Sequence, residues 1–323
     1  MSVLVFGELS EGGLSPATQR IASAGAQLAA ALGEPLIGAL IGSDLAAAAE
    51  AFLGVETLYL AEGAHYRPYT AEAYVAAAQA AIEASGASII LVAHGADSRE
   101  WVPRLAARIG VGLVMDCAAL AIEGKDLIVS KPVNGGGVVA EYVVHGERRM
   151  ATVRASAFEP ATAQGKPECV RLEVAPSADS RVTVLGEEAL GPTGGPRLKD
   201  AKIIVSGGRG LGGPDNWHYI EEASAALGGA MGCSRPVADS GWVPSSHQVG
   251  LSGTSVSPDL YIAVGISGAA QHLAGITAAK TVVAINNSAE ADIFSRADYG
   301  VVGDYREVLP AFVERVKQLR GDA

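Results

Sequence analysis

The sequence predicts an α/β protein with two doubly wound domains, each a mostly parallel sheet between layers of helices. Short apolar stretches of strand length alternate with longer helical stretches, which is typical of βαβ units. The 323 residues are enough for two domains of ordinary size. The 49% hydrophobic content and the 40 glycines fit this fold class and exclude a disordered chain.

The first half of the chain shows this alternation most clearly. A helix is predicted from Ser15 to Leu32, because Ser15 can cap it, Pro16 suits its first position and Gly33 can end it. Apolar strands and further helices follow in turn. We expect strands at Val3–Phe6, Leu36–Ile41, Thr57–Leu60 and Ile89–Ala93, and helices at about Asp44–Phe52, Thr70–Ser85 and Ser98–Ile109.

More strands are predicted after these helices, near Leu113, Leu120, Leu127, Val139 and Thr152. Short turns at Glu123–Asp126, Asn134–Gly137 and His145–Glu147 join the later ones, which predicts an antiparallel extension of the first sheet. Beyond Phe158 the pattern loosens, and Gly191–Pro196 has the composition of an interdomain linker. We therefore expect the two domains at residues 1–192 and 193–323.

Two glycine-rich turns dominate the second half. The predicted strand Ile203–Ser206 leads into Ser206–Gly213, and Leu260–Val264 leads into Gly265–Gly268. Glycines at a strand-to-helix turn let the backbone approach a ligand, and the following helix directs its free N–H groups toward it. Helices at about Asp215–Leu227, Ala269–Ala274 and Arg306–Leu319 and strands at Thr281–Ile285 and Tyr299–Val302 complete the predicted domain.

Polar side chains cluster just after the predicted strands of this half. Because the carboxyl ends of parallel strands meet at one edge of a sheet, these side chains should line one crevice, the usual ligand site. Arginines there favour an anionic ligand such as a pyrophosphate. The candidates from position alone are Arg209, Ser234, Arg235, Ser252, Ser267, Asn286 and Asp304.

Composition excludes several classes of protein. The net charge of −11 disfavours nucleic acid and anionic membrane surfaces as partners. The cysteines, Cys117, Cys169 and Cys233, are too far apart in sequence for a C-x-x-C motif, so neither a disulfide framework nor a metal site is expected. We see no export signal and no apolar stretch long enough to span a membrane, and we predict a cytoplasmic protein.

Six short motifs carry a family resemblance: Ser206–Gly210, Ser234–Pro236, Gln248–Gly253, Leu260–Gly275, Val283–Asn286 and Ala297–Gly300. In this order and spacing they resemble the alpha subunit of electron transfer flavoproteins across nearly all of Ile203–Leu319. The first half resembles that family only in its general pattern. Two departures stand out: Leu251-Ser252 replaces the family's common Gln-Thr, and Asn286-Asn287-Ser288 replaces Asn-Lys-Asp. Leu251 loses a polar contact, whereas Ser252 keeps the hydroxyl.

The resemblance implies two Rossmann-like domains, of which the second binds FAD and the first docks a beta subunit. That beta subunit would itself carry AMP or a second FAD. The implied FAD contacts are Arg209, Ser234, Arg235, Gln248, Val249, Gly250, Leu251, Ser252, Ser267, Gly268, Ala269, Ala270, Gln271, His272, Asn286, Asp304 and Tyr305.

The resemblance also implies an electron carrier without a substrate of its own. Acyl-CoA or other dehydrogenases, such as those of fatty acid β-oxidation, would donate electrons, and a membrane quinone oxidoreductase would be a possible acceptor. The alpha subunit of an electron-bifurcating complex is the alternative within this family.

Other functions are disfavoured by particular residues. Gly265–Gly268 lacks the full Gly-x-Ser-x-Gly motif and no histidine follows His272, which excludes a serine hydrolase. A nicotinamide-dependent dehydrogenase stays a weaker alternative, because Gly207–Gly212 fits G-x-G-x-x-G only loosely. A nucleotide-binding module without redox chemistry is the third possibility. We interpret His94 as structural and expect no nucleophile at Cys233.

Overall fold

The computed structural model describes residues 2–10, 13–134, 138–160, 165–176, 182–186, 196–198, 201–276 and 279–320. The chain divides into two compact units, one of Met1–Val133 and Val138–Glu188 and the other chiefly of Ala189–Ala323. The predicted linker Gly191–Pro196 falls almost entirely outside the described residues, so the predicted boundary between residues 192 and 193 stays a prediction. None of the helices in the described ranges combines the length and apolarity needed to cross a bilayer.

The first unit is a parallel sheet with helices against both faces. Its strands are β1 (Val3–Phe6), β2 (Leu9–Ser10), β3 (Gly13–Leu14), β4 (Leu36–Gly42), β5 (Thr57–Glu62), β6 (Ile89–Ala93), β7 (Gly112–Cys117), β8 (Ala119–Glu123), β9 (Asp126–Val133), β10 (Val138–Val144), β11 (Arg149–Val153) and β12 (Glu168–Arg171). Its helices are α1 (Pro16–Leu32), α2 (Ala46–Ala51), α3 (Ala71–Ser85) and α4 (Ala96–Ile109). Over the described residues the main sheet has seven strands in the order β12-β5-β4-β1-β6-β11-β7, all in parallel pairs.

Helix α1 forms as its local sequence predicts. The Ser15 hydroxyl accepts a hydrogen bond from the N–H of Ala17 at 3.3 Å, and Gly33 ends the helix in the left-handed conformation, with φ of 67°. The helix buries Ile21 against Val5 on one face of the sheet, while α3 buries Ile82 on the opposite face. Both faces of the sheet are therefore covered, which explains why its strands are apolar at nearly every position.

The middle of the first unit contains the predicted antiparallel part. Strands β8, β9 and β10 form a three-stranded antiparallel sheet within the described residues, and it is separate from the main sheet rather than the predicted extension of it. The antiparallel pairing predicted for the strand near Thr152 is wrong, because β11 pairs in parallel with β6 and β7. Every residue of β11 is buried, as a strand in the middle of a covered sheet requires.

The second unit is a smaller doubly wound unit. Its strands are β13 (Ile203–Gly207), β14 (Ala230–Cys233), β15 (Leu260–Val264), β16 (Thr281–Asn286) and β17 (Tyr299–Val302). Its helices are α5 (His218–Leu227), α6 (Arg235–Asp239), α7 (Ala270–Ala274) and α8 (Tyr305–Arg320). In the described ranges the strands lie in the order β14-β13-β15-β16-β17 and pair in parallel throughout. The fold class predicted from the sequence is confirmed.

The order of these strands fixes where a ligand can bind. After β13 the chain moves to β14 on one side, and it then returns to β15 on the other side of β13. The two connections therefore leave the sheet in opposite directions between β13 and β15. In doubly wound sheets this switch point opens a crevice at the carboxyl edge of the strands, where ligands bind.

Glycine allows the two turns at this point to pack together. The N–H of Gly208 donates to the Val264 carbonyl at 2.8 Å, and the N–H of Gly210 donates to the Gly265 carbonyl at 3.0 Å. A Cβ atom on Gly208 would lie only 2.2 Å from the Gly265 oxygen. Contact between the two turns is therefore one physical reason for the glycine-rich sequence after β13.

Candidate functional site

A cavity of about 680 Å³ lies at this switch point. Its volume is within the range of about 300–1,000 Å³ that is typical of small-molecule and cofactor sites. Its wall includes the turns after β13 and β15, the start of α6, the end of β16 and the loop before β15. The predicted residues that line it are Arg209, Ser234, Arg235, Gln248, Val249, Gly250, Leu251, Ser252, Ser267, Ala269, Gln271, His272 and Asn286.

Four predicted contacts lie outside the cavity wall: Gly268, Ala270, Asp304 and Tyr305. Asp304 accepts a hydrogen bond from the N–H of Arg306 at 2.9 Å and so caps α8. The buried Tyr305 hydroxyl donates to the Leu211 carbonyl at 2.8 Å. These contacts explain Asp304 and Tyr305 through the fold, and their role toward a cofactor stays a prediction.

Sequence reasoning missed six residues of the wall. They are Gly210, Pro236, Gly265, Ile266, Ser288 and Ala291. Gly210, Pro236, Gly265 and Ile266 adjoin predicted contacts or the end of a predicted strand, whereas Ser288 and Ala291 lie in the loop after β16, a few residues beyond Asn286. They lack charged groups, and for this reason they did not stand out as candidates.

The cavity is cationic although the chain is acidic. Arg209 and Arg235 line it, and no carboxylate side chain does so among the described residues. The chain as a whole carries a net charge of −11. The Nε atom of Arg235 donates to Asp239 at 3.1 Å, and both side chains are mostly exposed. Two cations without a carboxylate in the wall favour an anionic ligand.

The loop Val249–Ser252 is fixed against α7. The N–H of Leu251 donates to the Gln271 carbonyl at 2.8 Å. Gly275 also packs against the loop so closely that a Cβ there would lie 2.5 Å from the Cα of Gly250. The amide of Gln248 donates to the Ser252 hydroxyl at 2.9 Å. These contacts bring the loop and α7 together at one side of the cavity.

His272 is the one buried titratable side chain of the cavity wall as described. It is 6% exposed, and its Nε2 atom lies 2.9 Å from the hydroxyl of Tyr261. Burial lowers the pKa of His272 to about 4, although the nearby Val249 carbonyl favours the protonated form. That carbonyl does not complete a well-formed hydrogen bond, and the buried Nδ1 atom has no partner among the described residues. The imidazole is therefore neutral at neutral pH, and its Nδ1 atom makes no well-formed hydrogen bond among the described residues.

Asn286 shapes the cavity from the end of β16. Its amide nitrogen donates to the Ile266 carbonyl at 2.9 Å, and its amide oxygen accepts from the N–H of Ser288 at 3.0 Å. The side chain thus ties the turn after β15 to the loop after β16. Both turns are held in place at the site where a ligand would bind.

The equivalent crevice of the first unit differs in size and charge. Between β1 and β6 there is a cavity of about 70 Å³, with Glu8 and Asp97 in its wall. A nucleotide would not fit this volume, and the two acids would repel its phosphates. The switch point of the first unit, in the described residues, is therefore not a comparable site for an anionic cofactor.

The surroundings of His94 and Cys233 agree with the interpretation that His94 is structural and that Cys233 is not a nucleophile. Both ring nitrogens of His94 have hydrogen-bond partners, Thr152 at 2.8 Å and Arg99 at 3.1 Å. Cys233 is buried, and burial raises the pKa of its thiol to about 12. A thiol that stays protonated is a poor nucleophile, so Cys233 does not support covalent catalysis.

A parallel doubly wound sheet with a cationic cavity at its switch point defines an α/β domain that binds an anionic nucleotide cofactor. Residues 3–177 match the model of the electron transfer flavoprotein domain, and residues 197–277 match that of the electron transfer flavoprotein FAD-binding domain. The chain belongs to the electron transfer flavoprotein alpha-subunit family, and its cofactor is FAD. The family resemblance of the sequence motifs is confirmed.

Curated relatives are similar over almost their whole length. A Mycobacterium leprae protein named electron transfer flavoprotein subunit alpha is 38% identical over 322 residues, which cover 98% of this chain and 99% of the relative. A Bacillus subtilis protein of the same name is 36% identical over 323 residues, 98% of each chain. Protein FixB of Clostridium saccharobutylicum is 34% identical over 324 residues, 98% of this chain and 96% of the relative.

The residues of the cavity fit FAD. Arginine side chains bind the oxygens of a pyrophosphate well, and Arg209 and Arg235 are present. The polar edge of a flavin ring needs hydrogen-bond partners, and the unpartnered Nδ1 atom of His272 is one candidate. Serine hydroxyls at Ser234, Ser252 and Ser267 add further partners around the wall.

Proposed function

We propose that this chain is the FAD-carrying subunit of a two-subunit carrier that takes electrons from dehydrogenases and passes them on one at a time. The observation that carries the proposal is the cavity at the switch point, with two arginines, a buried neutral histidine and no carboxylate side chain among its described residues. FAD, when bound, supplies the redox chemistry, while the protein supplies binding, orientation and electrostatics.

The pyrophosphate would be held at the turn after β15. Ser267 lines the cavity there, and the first N–H groups of α7 have no partner within the helix. Arg209 lies in the neighbouring turn after β13 and provides positive charge. The adenosine end of FAD would then lie toward Asn286, at the end of β16. This arrangement agrees with the sequence motifs and uses residues of the cavity wall.

The flavin ring would lie toward Ser252, His272 and Arg235. Hydrogen-bond donors and cations beside the ring would stabilise negative charge there and so would favour reduction. A hydrogen bond to a charged group contributes about 1.5–3 kcal/mol net. Arg235 would supply fixed charge, and His272 and Ser252 would supply hydrogen bonds. These side chains would therefore set the reduction potential.

A beta subunit is the partner that we propose for the first unit. This unit exposes apolar side chains on β10, including Val139 at 62% and Tyr142 at 42%. A group of exposed apolar side chains is typical of a protein interaction surface. Acyl-CoA or other dehydrogenases, as in fatty acid β-oxidation, would be the electron donors. A membrane quinone oxidoreductase would be one acceptor, and the cytoplasmic location stays a prediction.

The test is to purify the chain after co-expression with the beta subunit encoded by the same organism. We expect visible flavin absorbance, FAD after acid release, and reduction by an acyl-CoA dehydrogenase supplied with its substrate. A colourless complex would overturn the assignment of the cavity. Rapid reduction by NADH or NADPH without a dehydrogenase would instead support an electron-bifurcating complex or a nicotinamide-dependent enzyme.

A further inference from the structure

Tyr261 carries a hydroxyl group into the core beneath the cavity. The residue lies in β15, is fully buried, and packs among apolar neighbours such as Ile204 and Val282. A phenylalanine would fill nearly the same space without a polar group. Burying a hydroxyl without a hydrogen bond is unfavourable, so the group needs a specific partner.

That partner is the cavity histidine. The Tyr261 hydroxyl lies 2.9 Å from the Nε2 atom of His272, and the two rings are 6.0 Å apart between centroids at 54°. The hydroxyl group of Ser206 is also near Tyr261 and lowers its pKa. It does not form a well-aligned hydrogen bond, however, since Ser206 Oγ has no partner in the described structure. The Nε2 atom is therefore the acceptor that the geometry provides for the hydroxyl hydrogen.

The position of the hydrogen on His272 follows from this contact. Burial raises the pKa of Tyr261, so its hydroxyl keeps its hydrogen at neutral pH. A hydroxyl that donates to Nε2 requires an unprotonated Nε2 atom. Since a neutral imidazole carries one hydrogen, that hydrogen must then lie on Nδ1. The buried Nδ1 atom is the ring nitrogen that makes no well-formed hydrogen bond among the described residues.

We propose that Tyr261 is a positioning residue that holds the His272 ring in one orientation and in the Nδ1–H tautomer beside the flavin site. The proposal rests on the proposed function, because it concerns the group that faces the FAD cavity. A donor that is already fixed does not have to reorient when charge develops on its partner. Tyr261 would thus fix the orientation of His272, and with it the contribution of His272 to the reduction potential of the flavin.

The primary experiment measures the tautomer directly. The flavin-containing complex is labelled with ¹⁵N histidine, and His272 is assigned among the six histidines of this chain by its absence in His272→Gln. We expect the wild-type ¹⁵N shifts of His272 to show a neutral ring with the hydrogen on Nδ1. In Tyr261→Phe we expect a mixture of tautomers or a change to the Nε2–H form.

The second measurement is the first one-electron reduction potential of the bound flavin. We expect Tyr261→Phe to retain FAD and to lower the equilibrium constant for this step about tenfold, which is about 59 mV. Tyr74→Phe is the matched control, because it removes a tyrosine hydroxyl from the first unit, where that part-buried group donates to the Ile41 carbonyl at 3.3 Å. This control should leave both the tautomer and the potential unchanged.

The outcomes separate this proposal from the proposed function. Wild-type protein without flavin would contradict the proposed function itself. Flavin-loaded wild-type protein with the hydrogen of His272 on Nε2 would overturn the positioning role, even if Tyr261→Phe did not fold. A flavin-loaded Tyr261→Phe protein with an unchanged tautomer or an unchanged potential would also overturn it.

Discussion

His272 makes the stability of the folded protein depend on pH. Its pKa falls from the ordinary value of 6.5 to about 4 because the imidazole is buried. Below pH 6.5 the unfolded chain binds a proton that the folded chain binds only near pH 4. The histidine therefore reduces stability as the pH falls through this window, whereas above it the stability is unaffected.

We expect the free energy of unfolding to drop by about 2 kcal/mol between pH 7 and pH 5 through His272. Urea unfolding at the two pH values measures this drop, and His272→Gln should reduce it. His218→Gln, at an exposed histidine, is the matched control. An equal drop in wild-type protein and His272→Gln would show that His272 is not buried as a neutral group.

Arg235 and His272 should each raise the first reduction potential of the flavin. We expect Arg235→Ala and His272→Leu to lower it by about 60–130 mV each, the equivalent of about 1.5–3 kcal/mol. Ser252→Ala should lower it less, because a neutral hydroxyl interacts more weakly with developing charge than a cation does. A reductive titration with a reference dye measures these shifts.

The control for this series is Arg104→Ala. Arg104 forms ion pairs with Glu72 and Glu100 in the first unit and is not one of the residues that line the cavity. Its removal should leave the potential unchanged. If the potentials of Arg235→Ala and His272→Leu also stayed at the wild-type value, the ring would not lie beside these side chains.

The turn after β15 depends on Gly268 for its packing against the segment that follows β16. Gly268 has a φ of 90°, and a Cβ on it would lie 2.1 Å from the backbone nitrogen of Ile293. The carbonyl of Ser267 accepts the hydrogen of that nitrogen at 3.0 Å. A side chain here would therefore push this turn away from its neighbour.

We expect Gly268→Ala to destabilise the protein by about 1–3 kcal/mol and to weaken FAD binding. Thermal unfolding and the flavin content after dialysis measure the two effects. Gly213→Ala is the matched control, because a Cβ there meets no atom within 4 Å and the backbone is extended, with φ of 173°. Wild-type stability and full flavin content in Gly268→Ala would contradict this account of the turn.

The whole molecule is expected to function as a heterodimer. Light scattering of the co-expressed pair should give the mass of one alpha and one beta chain. The substitutions Val139→Lys and Tyr142→Lys together should weaken association, since they place charge among the exposed apolar side chains of β10. Leu319→Lys, at another exposed apolar position, is the control. A stable flavin-loaded monomer of the wild-type chain would contradict the heterodimer.

Much of the architecture was determined by local sequence. The cap and stop of α1 depend on Ser15, Pro16 and Gly33, which act within one turn of the helix. Strands such as β6 and β15 are apolar runs bounded by turn residues, and their type follows from composition alone. Because a parallel sheet collects its strand ends at one edge, the sequence also indicated which polar residues would meet in the cavity.

Pairing over long distances was decided only by the tertiary structure. The short, mostly exposed strand β12 forms by pairing with β5, and β11 joins the parallel sheet although a tight turn precedes it. The contact between Tyr261 and His272 and the packing of Gly268 on Ile293 likewise join separate elements. Local patterns set the type of each element, but the partner of a buried hydroxyl or of a glycine depends on which elements the fold brings together.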